Sequence, residues 1–146
     1  MDKAKAERAR NVSNKRFHVL GSTDAVNTCD CCGKTGLKAT WQIEMIDTGE
    51  RFFYGSVCVT HNTARKLGDL KKMQEAHDNE KRKAANDEYS ATPERKAYCD
   101  KMNKARELNV MPGRAFADFC RAEREAADKV AREIAARHEV PIHWLI

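Results

Sequence analysis

From Leu37 the chain alternates: Leu37, Ala39, Trp41, Ile43 and Met45 fall on one side, Lys38, Thr40, Gln42 and Glu44 on the other. A period of two predicts a half-buried strand. Asp47-Thr48-Gly49-Glu50 supplies turn residues, and Arg51 to Val57 predicts an aromatic-rich return strand, so the stretch reads as a β-hairpin. Upstream, Phe17-His18-Val19-Leu20 is an apolar run suited to a short strand, followed by the loop GSTDAVNT. Residues 1–16 read as a basic, alanine-rich arm, helical or frayed.

Beyond Cys58 the pattern turns helical. Thr60 is a candidate N-cap, and Gly68-Asp69 reads as a stop and a fresh start. Residues 70–89 predict a helix with a thin apolar stripe that includes Leu70 and Met73. Thr92-Pro93-Glu94-Arg95 places a capping hydroxyl before a proline, a strong helix start. Tyr98, Met102, Ala105 and Leu108 mark its inner face, and Pro112-Gly113 breaks it. A last helix carries Phe116, Phe119, Cys120, Val130 and Ile134 at helical spacing. The tail VPIHWLI is apolar enough to fold back on the helices or to fill a partner's groove.

With 146 residues the chain has room for one ordinary domain or two very small ones. No apolar run nears the ~20 residues of a membrane span, and the charged start MDKAKAERAR lacks a signal peptide's apolar core. A cytoplasmic location is therefore expected, in which thiols stay reduced and the six cysteines suggest metal ligation rather than disulfides. The formal charge of +5 is spread as +3 over residues 1–28, −1 over 29–62, +1 over 63–90 and +2 over 91–146. Mixed-charge helices of this kind, the run Lys81-Arg82-Lys83 included, read as solvated faces.

The candidate chemistry lies in Cys29-x-x-Cys32-Gly33. Two intervening residues let a tight turn aim both sulfurs at one tetrahedral ion, and the glycine lets the chain turn away. Cys58-Val59-Thr60-His61 is a second pair, at the start of a predicted helix whose dipole favours a thiolate. Two such pairs joined by a hairpin predict one structural Zn²⁺ held by Cys29, Cys32, Cys58 and His61. Cys31 reads as a bystander, Cys99 and Cys120 as buried small hydrophobes, and Trp41 as core. His77, His138 and His143 read as surface or tail residues.

In the order of turn, hairpin and helix N-terminus, residues 29–67 resemble the treble-clef zinc fingers. CDCCGKTGLK followed by YGSVC is similar to small zinc-knuckle proteins encoded by bacteriophages and actinobacteria, a group that implies little about function. The resemblance assigns Cys29, Cys32 and Cys58 as ligands and His61 as the fourth, with His18 and Cys31 as alternatives. The expected fold is α+β: a basic arm over 1–28, a zinc-binding hairpin–helix module over 29–68 and a helical region over 69–146.

Catalysis is disfavoured. There is no H-x-E with P-C-x-x-C of a zinc deaminase, no hairpin histidine of an HNH-type nuclease, and no Walker loop or zincin helix. No small-molecule substrate is expected. The first binding class is a nucleic-acid accessory protein of phage type, with phosphate contacts from Lys3, Lys5, Arg8, Arg10, Lys15, Arg16, Lys34 and Lys38, extended by Lys66, Lys71 and Lys72. The second is a modulator of a host protein, docking through the helices and the VPIHWLI tail.

Overall fold

The computed structural model describes residues 2–10, 12–110 and 113–146. Among them are three strands and five α-helices: α1 (Lys3–Arg8), β1 (Phe17–Thr23), β2 (Thr40–Met45), β3 (Arg51–Tyr54), α2 (Ser56–Thr63), α3 (Leu67–Ala91), α4 (Pro93–Glu107) and α5 (Arg114–Arg137), followed by a 3₁₀ turn at Ile142–Trp144. The class is α+β. The strands form one antiparallel sheet in the order β1-β2-β3. Contacts divide the chain into two compact units, Met1–Asp78 and Asn79–Ile146, with the boundary inside α3. The basic arm and the first half of α3 thus belong with the hairpin. Among the described residues no helix is long and apolar enough to cross a membrane.

In the first unit the expected alternation holds at Ile43 and Met45, which are buried against Phe52 and Tyr54. Trp41 is half-buried against the same core. Thr40 departs from its predicted outward face: it is fully buried, and its hydroxyl donates to the Val26 carbonyl at 2.8 Å. β1 runs three residues beyond the apolar run, to Thr23, because backbone pairing with β2 continues past a bulge between Val19 and Gly21. Gly21 sits there at φ +115°, with Gln74 of α3 at its back.

The arm is docked. Asp2 caps α1 by accepting from the Ala4 and Lys5 N–H groups, and Ala6, Ala9 and Val12 are buried. Small side chains let this segment lie close to the sheet, and the Tyr54 hydroxyl donates to the Ala9 carbonyl at 2.8 Å.

Two helix boundaries differ from expectation. α2 starts at Ser56 after Gly55, so Thr60 lies inside it, its hydroxyl donating to the Val57 carbonyl at 2.9 Å. α2 ends where Ala64 turns left-handed (φ 53°), and α3 starts at Leu67, so Gly68 is helical and no stop.

In the second unit Thr92 caps α4 as predicted, accepting from the Arg95 N–H at 3.3 Å while donating to the Tyr89 carbonyl at 2.7 Å. Ala105 is buried and Tyr98 and Met102 half-buried, but Leu108 is 59 % exposed because α4 has ended at Glu107. Pro112 lies outside the described residues; Gly113, at φ 125°, precedes α5. Cys120, Ala127, Ala131, Ile134 and Ala135 bury one face of α5, and Cys99 is half-buried. The tail folds back: Val140 and Leu145 are buried in a cluster with Ala85, Tyr89, Ala131 and Ile134. His138, expected at the surface, is partly buried with its Nε2 2.6 Å from Glu88 Oε2.

Candidate metal centre

The Cys29–Cys32 turn is built by the backbone. The Gly33 N–H donates to the Cys29 carbonyl at 2.9 Å, and the Cys29 N–H to the Lys34 carbonyl at 2.9 Å. Gly33 takes φ 74°, a conformation in which a Cβ would be strained. Asp30 fixes the turn to the hairpin: its N–H donates to the Phe53 carbonyl at 2.7 Å, and its Oδ2 accepts from the Phe53 N–H at 2.8 Å. That same oxygen is 2.9 Å from Lys5 Nζ, so one carboxylate ties arm, turn and β3 together.

Cys58 arrives from the opposite side, in the first turn of α2. The sulfurs of Cys29, Cys32 and Cys58 all lie within 4.8 Å of one another. A tetrahedral ion with bonds of about 2.3 Å sets its sulfurs roughly 3.8 Å apart, so the three need little adjustment to share one cation. They differ in exposure: Cys29 is buried, Cys58 half-buried and Cys32 exposed. The Lys34 backbone N–H lowers the Cys32 pKa, favouring its thiolate. Burial, then the neighbouring Cys32 and Cys29 sulfurs, pushes the Cys58 thiol well up. Three crowded thiols resist joint ionisation by themselves; a cation among them reverses that balance. The group can therefore hold a metal ion.

The structure brings together three of the four predicted ligands. His61 is exposed, outside the three-sulfur group, and lines a cavity of about 490 Å³ together with Cys58. Of its alternatives, Cys31 is buried and its sulfur accepts from Asn62 Nδ2 at 3.3 Å. His18 lies on β1 with its ring stacked on His77, centroids 4.2 Å apart, so His77 is a packing residue of this unit.

Among the predicted phosphate contacts, Lys3, Arg10, Lys15, Arg16, Lys34 and Lys38 are exposed, as are Lys66, Lys71 and Lys72. Two others are engaged internally: Lys5 with Asp30, and Arg8 with Glu50, whose carboxylate takes its Nε at 3.0 Å and Nη2 at 2.8 Å.

Asp30, Asn62 and Tyr54 position the site without having been singled out as ligands. Asp30 carried a readable signal, an acid inside a two-cysteine turn where only a short acceptor can reach back to the backbone. Asn62 bonds both Cys31 Sγ and the Cys58 carbonyl, and nothing in its sequence neighbourhood announces that. Comparison of the chain with protein-family models, curated proteins and solved structures finds no match.

Proposed function

We propose that the chain is a non-catalytic zinc protein whose Met1–Asp78 unit binds nucleic acid through phosphate contacts. Zinc suits the centre because its three sulfur donors lie close enough to share one small ion and thiolates favour zinc. The order of turn, hairpin and helix start around the sulfurs supports a treble-clef arrangement. His61 is the fourth donor this reading favours: Cys31 is held by Asn62 and His18 is stacked, whereas His61 is exposed one helical turn beyond Cys58. The ion's role is to staple the hairpin to α2.

The observation that carries the nucleic-acid reading is how this unit distributes its charges. Asp30, Glu44 and Glu50 are paired with Lys5, Arg51 and Arg8, and the exposed acids Asp2, Glu7, Asp24, Asp47, Asp69 and Glu75 are outnumbered by the exposed cations Lys3, Arg10, Lys15, Arg16, Lys34, Lys38, Arg65, Lys66, Lys71 and Lys72. Counterion release from a polynucleotide rewards such outward cations. The competing reading, docking on a host protein through the helices and the VPIHWLI tail, finds Val140 and Leu145 of that tail already buried in the chain's own cluster.

The test is binding of fluorescent DNA and RNA by the zinc-loaded full chain across a salt series. The reading expects affinity to fall steeply and linearly in log–log form as salt rises. Absence of binding to any DNA or RNA at low salt contradicts it.

A further inference from the structure

We infer that a single-stranded polynucleotide lies along α2, in a groove that runs from Arg10 to Lys66. The inference rests on the nucleic-acid reading above and specifies its surface and the form of nucleic acid. Two adjoining concavities make the groove. One, of about 490 Å³, is lined by Arg10, Cys58 and Asn62 among others. The second, of about 650 Å³, is lined by Thr60, Arg65, Lys66 and Leu67. Val57 and His61 belong to both, and among the described residues no carboxylate lines either.

Val57 is 78 % exposed, the highest value among the exposed large apolar side chains described. Its position follows from the metal centre: Cys58 is directed at the other sulfurs, and the next residue along a helix points about 100° away. An apolar side chain is thereby shared by the concavity that Arg10 lines and the one that Arg65 and Lys66 line.

That arrangement fits a strand whose phosphates meet the cations while an unstacked base covers Val57. A duplex keeps its base faces inside the stack, so it would leave the concavities unfilled. A purely acidic chain such as poly-glutamate could satisfy the cations but offers no flat apolar face to Val57. DNA and RNA share the recognised chemistry.

The experiment uses fluorescein-labelled mixed-sequence DNA and RNA strands of about 20 nucleotides, more than the ~4–16 that one small fold covers, and the matching duplexes. Wild type is compared with Arg65→Ala/Lys66→Ala, the charge-keeping Arg65→Lys/Lys66→Arg, Val57→Ser, and Lys104→Ala/Arg106→Ala on α4 as reference. Single-strand binding is expected to exceed duplex binding about tenfold. Removing both cations should weaken it about tenfold and reduce the salt slope by about 1.4, at ~0.7 per phosphate. Arg65→Lys/Lys66→Arg should keep the slope, and Val57→Ser should lose affinity at unchanged slope. The Lys104→Ala/Arg106→Ala reference should match wild type.

Equal or tighter duplex binding, or a double alanine variant that binds like wild type, overturns the groove while leaving the broader reading in place. If the double alanine variant loses metal or helix content, Val57→Ser decides, and unchanged affinity there overturns the groove. No oligonucleotide binding at low salt overturns both. Binding of poly-glutamate instead, lost on removing Arg65 and Lys66, assigns the groove to acidic peptides and also overturns the inference.

Discussion

The Tyr54 hydroxyl donates to the Ala9 carbonyl at 2.8 Å, in the interior of the first unit. The strand that leads into α2 therefore also holds the N-terminal segment, 45 positions earlier in the chain. Burial raises the Tyr54 pKa, so the hydroxyl stays protonated and remains a donor. With Ala6, Ala9 and Val12 buried beside it, the arm is part of the fold that presents the thiols.

Tyr54→Phe removes the donor and strands a buried carbonyl, a loss of roughly 1–3 kcal/mol. The urea midpoint of the first unit reports it, read by Trp41 fluorescence in a Trp144→Phe background. An unchanged midpoint would show that the arm's attachment does not depend on this bond.

Asp30→Ala should act on both stability and metal. It deletes the acceptor for the Phe53 N–H and the partner of Lys5. A charged hydrogen bond of this type contributes about 2 kcal/mol, and loss of ligand orientation typically weakens metal binding about 10–100-fold. Asp30→Asn keeps an acceptor and should retain most of both. Competition with a chromophoric chelator ranks the three proteins; equal affinities would remove Asp30 from the site.

Gly21→Ala tests the bulge. At φ +115° an L side chain is strained, and the added Cβ would stand 2.8 Å from Gln74 Nε2. The end of Gln74 can swing aside but the backbone angle cannot, so a loss of about 1–2 kcal/mol is expected. Gly21→Ala/Gln74→Ala should relieve the contact and keep the backbone penalty. Full rescue by the double variant would show that the angle carries no cost.

Glu88 gives the second unit a pH dependence. Its carboxyl is held below the ordinary value of 4.5, chiefly by the His138 hydrogen bond and then by the charge of Arg137. A carboxyl whose pKa is lower folded than unfolded contributes stability above its unfolded value, and that contribution is lost as pH falls through the folded one. The urea midpoint read by Trp144 in a Trp41→Phe background should therefore drop on acidification below about pH 4.5, more steeply in the parent than with Glu88→Gln. Parallel curves would contradict the assignment.

The readable parts of the fold are those whose cause is local. Ile43 and Met45 announce one strand by alternation, Phe52 and Tyr54 its aromatic-rich return, Thr92-Pro93 announces a helix by capping chemistry, and the spacing of Cys29, Cys32 and Cys58 announces a cluster of thiols able to hold a metal ion. The parts that escaped depend on distant partners. β1 extends through polar Ser22 and Thr23 because β2 supplies backbone hydrogen bonds, which no side-chain pattern encodes. Gly68 looks like a stop, yet the chain had already turned at Ala64, a residue rarely chosen for that conformation. The arm's alanines stand in its composition, but which of them are buried depends on the sheet they meet, and Ala6 and Ala9 are the ones that dock it. Leu108 keeps the helical spacing of Tyr98 and Ala105 but falls just past the helix end, where spacing no longer sets direction.

The proposed metal centre underlies the rest, and cobalt substitution with elemental analysis tests it most directly. The purified full chain should contain one zinc per molecule. Its Co²⁺ form should show thiolate charge-transfer bands and tetrahedral d–d bands, lost in Cys58→Ser and on acidification as the ligands take up protons. Removing the ion with a strong chelator should unfold the Met1–Asp78 unit, seen as a red shift of Trp41 emission in the Trp144→Phe background. A chain without stoichiometric metal, or one whose Trp41 emission ignores the chelator, would contradict the account.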